Sequence, residues 1–175
     1  AMQALGPAGE LLYFTRIPPG KSKFNLGSAQ SFVDRVFIVV LGVHDIRRTL
    51  EFYSQTFGLP VTEPAPSRVA VLAQAWGMPA DQAFTLAIIR LPERFLIEVD
   101  EYPAASEPPS RGETGLPGGM AMVSFTVPSL EPYESRLLAA PRRLDDAPYA
   151  GRRVGVMRGP SGELLELMES PPIPP

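Results

Sequence analysis

Cysteine is absent from this chain of 175 residues, and histidine occurs once, at His44. Without cysteine there can be no disulfide bond, thiolate metal site or cysteine nucleophile. A single histidine also excludes, within one chain, a three-histidine zinc site and the two-histidine, one-carboxylate face that binds Fe(II). Any metal chemistry in one chain would therefore have to use oxygen ligands.

Long apolar runs and basic runs are absent too. The longest apolar run, residues 36–43, is too short to cross a bilayer, and residues 1–10 lack the pattern of a signal peptide. No five consecutive basic residues occur and the net charge is only −3, so the sequence carries no phosphate-binding footprint. We therefore expect a cytoplasmic protein that binds neither nucleic acid nor membranes.

What is present is a cycle of one strand, one helix and three strands. Residues 36–43 predict the first strand, and Asp45 and Gly58 are the predicted N-cap and C′ glycine of the helix that follows. The remaining predicted elements of this cycle are strands at 61–62, 84–91 and 95–100, with a short inserted helix at 68–76.

The same cycle is predicted a second time. A strand at residues 120–127 precedes a helix at 129–138 that Ser129 caps. Three further strand segments are predicted at residues 143–149, 153–158 and 164–168. Clusters of Pro, Gly and Ser between the two cycles predict a linker.

Internal repeats support this division. The segment IEVDEYP at 97–103 matches LELMESP at 165–171, which aligns Glu98 with Glu166. A third copy, GPAGELL at 6–12, repeats GPSGELL at 159–165, so we expect the chain to open within the closing hairpin of an earlier module of a longer protein. A natural short form is the alternative. The predicted divisions are the hairpin and linker (1–33), first module (34–103), linker (104–118), second module (119–170) and Pro-rich tail (171–175).

Two segments carry a family resemblance. VFIVVLGVHDIRRTLEFYSQTFGLP at 36–60 and GPSGELLELME at 159–169 resemble the opening strand and helix, and the closing hairpin, of the glyoxalase/bleomycin-resistance/extradiol-dioxygenase (vicinal oxygen chelate) superfamily. The resemblance covers about residues 34–170. It implies an α+β fold of two βαβββ modules, whose curved mixed sheets surround a shared cleft that holds the substrate.

The resemblance also implies where a metal would bind, because members that use one place a ligand on the first and last strands of each module. In this sequence those positions hold Ile38 and Met122 on the first strands, and Glu98 and Glu166 on the last. Neither first-strand residue is an imidazole, so we expect no cofactor. The alternative is Mg²⁺ or Mn²⁺ bound through Glu98 and Glu166, since hard cations accept oxygen ligands alone.

The two glutamates are the candidate catalytic residues, as general acids or bases. Strand alternation places Leu96, Glu98 and Asp100 on one face, and Leu164, Glu166 and Met168 likewise. The candidate ligand-binding residues are Ile38, Asp100, Met122, Ser124, Thr126, Tyr149 and Arg158. Each has a structural alternative: the carboxylates could order the sheet, Ser124 and Thr126 could pair across strands, and Tyr149 and Arg158 could pack on the surface.

Three functions are therefore open. The loss of imidazoles favours a small-molecule binding protein, or one with non-classical chemistry. The second is a metal-dependent lyase or dioxygenase that uses only carboxylate ligands, and the third is a non-catalytic interaction module of a longer tandem protein. Whether the chain is an enzyme stays open. Expected partners are a small-molecule ligand and either a second copy of the chain or another module of a longer one.

Overall fold

A computed structural model describes residues 2–7, 11–18, 20, 24, 26, 29–104, 106, 115–116 and 120–171. The chain divides into two compact units. The first comprises Ala1–Leu5 and Leu11–Glu107, and the second comprises Gly6–Glu10 and Pro108–Pro175. Most of the predicted linker at 104–118 lies outside the described residues, as does most of the Pro-rich tail.

The first unit contains a two-stranded hairpin and a four-stranded mixed sheet. In chain order its elements are β1 (Met2–Leu5), β2 (Leu11–Phe14), β3 (Ile38–Val43), α1 (Ile46–Phe57), β4 (Ala65–Arg68), α2 (Ala70–Ala75), β5 (Ala83–Arg90), a 3-10 turn (Pro92–Arg94) and β6 (Leu96–Glu101). The sheet order is β3-β6-β5-β4. Strands β3 and β6 are parallel, whereas β6, β5 and β4 pair in an antiparallel manner.

The second unit repeats this sheet. Its elements are β7 (Met122–Val127), a 3-10 helix (Glu131–Arg136), β8 (Arg142–Leu144), β9 (Arg152–Arg158) and β10 (Leu164–Glu169). The order β7-β10-β9-β8, with β7 parallel to β10, is the order of the first sheet. The α+β fold of two modules, each built on a four-stranded mixed sheet, is therefore confirmed.

Helix α1 begins and ends at the predicted residues. The Asp45 carboxylate accepts a hydrogen bond from the Arg48 backbone N–H at 2.9 Å, and Gly58 takes a left-handed conformation with φ 66°. Both features satisfy backbone groups that a helix end leaves unpaired. The helix contacts β5 and β6 and buries Ile46, Leu50 and other residues of one face. Each such apolar side chain contributes roughly 1.5–3 kcal/mol on burial.

The predicted helix at 129–138 is wrong in type and length. A 3-10 helix replaces it and ends at Arg136, because the next two residues pair with β9 instead of continuing the helix. Leu137 forms a β-bridge with Met157, and the Leu138 N–H donates to the Val156 carbonyl at 2.8 Å. The Ser129 hydroxyl still accepts a hydrogen bond from the Glu131 N–H, at 3.2 Å.

Two predicted strands are also corrected. At residues 61–62 only an isolated bridge from Val61 to Ile89 forms, and the first strand after α1 is β4, which contains Pro66. Proline lacks an N–H, but β4 is an edge strand, where that donor is not needed. The strand predicted at 143–149 is only β8, since residues 146–151 form a turn.

The hairpin β1–β2 has the pairing register of β9–β10. Leu11 lies opposite Leu5 and Leu164 lies opposite Arg158, which are equivalent positions in the repeat described above. The two hairpins therefore pair in the same register, and the origin of residues 6–12 in an earlier module stays a prediction from the sequence. Residues 8–10 of its turn lie outside the described residues.

Candidate functional site

The first sheet has one side facing α1 and one side facing away from it. We call the second side the acidic face, because it carries Glu98 and Asp100 of β6. Strand pairing places Ile38 opposite Leu96 and Val40 opposite Glu98, so Ile38 belongs to this face, as predicted. On β5 the residues of this face are Phe84, Leu86, Ile88 and Arg90.

Asp100 is the most unusual residue of the acidic face. Its side chain is only 1% exposed, and its Oδ1 atom has no hydrogen-bond partner in the part of the chain that the structure describes. Burial, together with the nearby charge of Glu98, raises the pKa of Asp100 to about 7. A buried acceptor without a donor costs free energy, and few native groups are left in this state.

Glu98 lies two residues before Asp100 on the same strand and face, which separates their Cα atoms by roughly 7 Å. Its side chain is half-buried, and burial raises its pKa as well. Glu98 makes no hydrogen bond or ion pair with the described residues. The first sheet thus holds two neighbouring carboxyl groups that protein donors do not stabilise.

The inserted segment around α2 packs on Phe84 and Tyr102, and Tyr102 lies close enough to Asp100 to feel its charge. Leu72 and Ala73 of α2 pack with Phe84, and Trp76 and Tyr102 join this cluster. The Trp76 and Tyr102 rings meet edge to face, with centroids 4.9 Å apart. Burial, then the charge of Asp100, raises the pKa of Tyr102. No insertion of this kind separates β8 from β9, so the two sheets offer different surroundings to their carboxylates.

Glu166 of the second sheet is, by contrast, fully engaged. It is 5% exposed, and its two carboxylate oxygens accept hydrogen bonds from the Ser124 and Tyr149 hydroxyls, the latter at 3.0 Å. The hydrogen bond to Glu166 and its charge raise the pKa of Tyr149. Three residues predicted separately from the sequence therefore form one network.

The other predicted residues of the second module lie on the same face as Glu166. Strand pairing sets Met122 opposite Leu164 and Thr126 opposite Met168, and both Met122 and Thr126 are exposed. Arg158 also lies on this face, but its guanidinium donates to the Gly162 carbonyl at 3.0 Å. Arg158 therefore holds the turn between β9 and β10.

The donor set does not fit the metal that the superfamily resemblance implies. Ile38 offers no ligand atom, and Met122 offers only a thioether, which suits soft cations. Among the residues that the structure describes, no group of three or more His, Asp or Glu side chains could hold a metal ion.

The sequence did not predict the roles of two further glutamates, which hold the start of each helix. Glu101 accepts a hydrogen bond from the Ile46 N–H at 3.4 Å, and Glu169 accepts one from the Leu130 N–H at 3.0 Å. Each carboxylate stands at the end of its module's last strand and satisfies an N–H at the start of that module's helix. Their equal spacing from Glu98 and Glu166 in the repeat could have revealed them.

Solved structures resemble this chain over most of its length. One is a glyoxalase family protein from Bacillus cereus, 20% identical, with a TM-score of 0.59; the match covers 82% of this chain and 98% of that one. The chain has the glyoxalase fold. A glyoxalase family protein from Enterococcus faecalis also shares this fold, at 16% identity and a TM-score of 0.56, over 79% of this chain and 100% of the other.

A third structure with the glyoxalase fold is a glyoxylase/bleomycin resistance protein/dioxygenase domain from Frankia sp. EAN1pec. It is 16% identical with a TM-score of 0.54, and the match covers 81% of this chain and 95% of that domain. No protein-family model matches the sequence, and no curated protein shows a significant match. In the described residues, no helix is long and apolar enough to cross a membrane.

Proposed function

We propose that the protein binds a small organic molecule at Glu98, that this ligand presents a positive charge or several hydrogen-bond donors to Glu98, and that the buried Asp100 carboxyl group adds negative potential behind it. The observation that carries this proposal is the buried Asp100 carboxyl group, whose Oδ1 lacks a donor among the described residues. Leaving such an atom unpaired costs about 1–3 kcal/mol. A structural role would have supplied a partner, as Ser124 and Tyr149 do for Glu166.

The two carboxyl groups have different parts in this proposal. Glu98 is half-buried and meets the ligand directly, whereas Asp100 is 1% exposed and adds negative potential behind it. Each negative charge makes ionisation of the other carboxyl group less favourable, and a bound cation therefore stabilises both ionised forms. Ile38 supplies an apolar surface beside them, on the same face.

The fold supports ligand binding, because one matched structure is named as a bleomycin resistance protein as well as a glyoxylase and dioxygenase. Binding of an organic cation needs shape, apolar surface and a few polar groups, and no metal. In the second module, the hydrogen bonds from Ser124 and Tyr149 hold Glu166 in place, so this carboxylate is not assigned to ligand binding. Self-association and a cytoplasmic location stay predictions from the sequence.

Proton linkage follows from this arrangement. A cation bound beside Asp100 lowers the pKa of that carboxyl group from about 7, so binding near neutral pH releases protons. Affinity should rise with pH between about pH 6 and about pH 8, by up to about ten-fold per unit below the pKa. A ligand that binds elsewhere would show no such dependence.

The test starts with a thermal-shift screen of aromatic and cationic antibiotics. Each hit is then measured by titration calorimetry at pH 7 in two buffers that differ in ionisation enthalpy, which reveals proton release. Glu98→Gln and Asp100→Asn should each weaken binding at least about ten-fold, or about 1.4 kcal/mol. Glu63→Gln, an exposed residue of the same unit, removes an equal charge and is the matched control.

Two outcomes would overturn the proposal. One is a screen with no stabilising compound at high concentration. The other is a ligand whose affinity depends neither on pH nor on the two carboxyl groups. An equal loss of affinity in the Glu63→Gln control would show that the net charge of the protein, and not the position of the two carboxyl groups, determines binding.

A further inference from the structure

The first unit contains a second concave site, at the end of its sheet. This cavity of about 650 Å³ lies beyond the last residues of β3 and β6 and beside the first residues of β5. It is lined by His44, Met78, Gln82, Ala83, Phe84, Thr85, Glu101, Tyr102, Pro103 and Ala104. The volume is within the range of pockets that hold drug-sized ligands, roughly 300–1,000 Å³.

The walls of the cavity combine aromatic surface with unused polar atoms. Phe84 is buried, and Met78 and Tyr102 are half-buried, so the apolar wall is held by the packing around α2. The Tyr102 ring is also fixed from behind, because it packs directly on Gly42, where any Cβ atom would clash with it. The aromatic wall is therefore preorganised.

Charge at this site is negative. Glu101 uses Oε1 to accept from the Ile46 N–H, and its Oε2 accepts no hydrogen bond from the described residues. Within the described part of the chain, the Thr85 side chain makes no hydrogen bond, and that of Gln82 uses only its amide N–H₂, which donates to the Ala83 carbonyl. The oxygens of Glu101, Gln82 and Thr85 are thus able to accept hydrogen bonds from a ligand, and the Glu101 carboxylate adds a negative charge.

We propose that this cavity is a separate binding site for a planar aromatic molecule that carries a cationic or multiply donating group. The ring packs against Phe84 and Tyr102, and the donor group pairs with Glu101. A planar cation gains from the faces of aromatic rings as well as from the carboxylate. Tyr102 also lies near Asp100, but the charged group that pairs with the ligand here is Glu101, so variants of Glu98 and Glu101 distinguish the two sites.

Three compounds of one shape test the charge preference: biphenyl-4-carboxamidine, biphenyl-4-carboxamide and biphenyl-4-carboxylate. Titration calorimetry on the full chain should show the amidine binding at least about ten-fold more tightly than the amide or carboxylate. Glu101→Gln retains an acceptor for the Ile46 N–H, so the fold is kept, and it should bring the amidine to the affinity of the amide.

Location is tested by filling the cavity. Ala104 is an exposed residue of its wall, and Ala104→Phe should abolish amidine binding. Ala139→Phe, at an exposed alanine of the other unit, is the matched control and should leave the affinity within two-fold. Equal binding of the three compounds, absence of binding, or unchanged affinity in Ala104→Phe would each overturn the proposal. None of these results bears on the Glu98 and Asp100 site, which has its own variants.

Discussion

Replacing Asp100 with asparagine removes an ionisable group that the fold disfavours. The pKa of Asp100 rises from 3.8 to about 7, first because the group is buried and second because Glu98 is near. A carboxyl group with a raised pKa binds its proton more tightly in the native state than in the unfolded state. Its contribution to stability is therefore full below about pH 4 and is lost as the pH rises through about 7.

The size of this effect follows from the shift. A rise of about 3 units at about 1.4 kcal/mol per unit amounts to about 4 kcal/mol in total, of which about 2–3 kcal/mol falls between pH 5 and pH 8. The Asp100→Asn protein has no proton to lose. We therefore expect it to match the original protein below about pH 4, and to exceed its stability by about 1–2 kcal/mol at pH 5 and by about 4 kcal/mol at pH 8.

Urea denaturation at a series of pH values measures the difference. Trp76, the sole tryptophan, packs in the cluster with Phe84 and Tyr102, so its fluorescence reports unfolding of the first unit. Glu63→Gln controls for the loss of one exposed charge. The reasoning is refuted if Asp100→Asn loses as much stability between pH 5 and pH 8 as the original protein does. Glu98→Gln removes the neighbouring charge and so lowers the pKa of Asp100. The decline in stability should then end at a lower pH than in the original protein.

Three further predictions concern the packing and hydrogen bonds of the site. Glu166→Ala should lower the pKa of Tyr149 towards its ordinary value, seen by ultraviolet absorbance during a pH titration, and cost about 1–3 kcal/mol because a buried acceptor is lost. Gly42→Ala should cost about 1–3 kcal/mol in urea denaturation, because its Cβ would lie under 3.0 Å from the Tyr102 ring. Asp45→Ala removes the N-cap of α1 and should cost about 0.5–2 kcal/mol, measured by circular dichroism during thermal unfolding.

Much of the fold was predictable because local chemistry and the repeat agree. Asp45 and Gly58 carry cap chemistry that depends on a few neighbouring atoms, and both act as predicted. The helix at 129–138 failed because a non-local demand, the pairing of Leu137 and Leu138 with β9, competes with helix propensity. Propensity cannot anticipate such competition from a strand far along the chain.

The candidate site divides in the same way. Strand alternation was enough to place Glu98 and Asp100 on one face, and Ser124 on the face of Glu166. The sequence could not show that Glu166 is satisfied while Asp100 is not, because that difference depends on which side chains reach each carboxylate. The position of Tyr149 depends on the turn after β8, and the position of Tyr102 near Asp100 depends on packing with the inserted segment around α2.

The glutamates at the ends of β6 and β10 have a consequence for how such a chain can grow. Glu101 reaches back to the start of α1, and Glu169 reaches back to Leu130. In each repeat the end of the last strand is thereby bonded to the start of the helix, and both partners of this hydrogen bond belong to the same repeat. A gene segment that encodes one repeat, copied in tandem, would carry this contact with it, and an insertion such as the one between β4 and β5 would leave the contact intact.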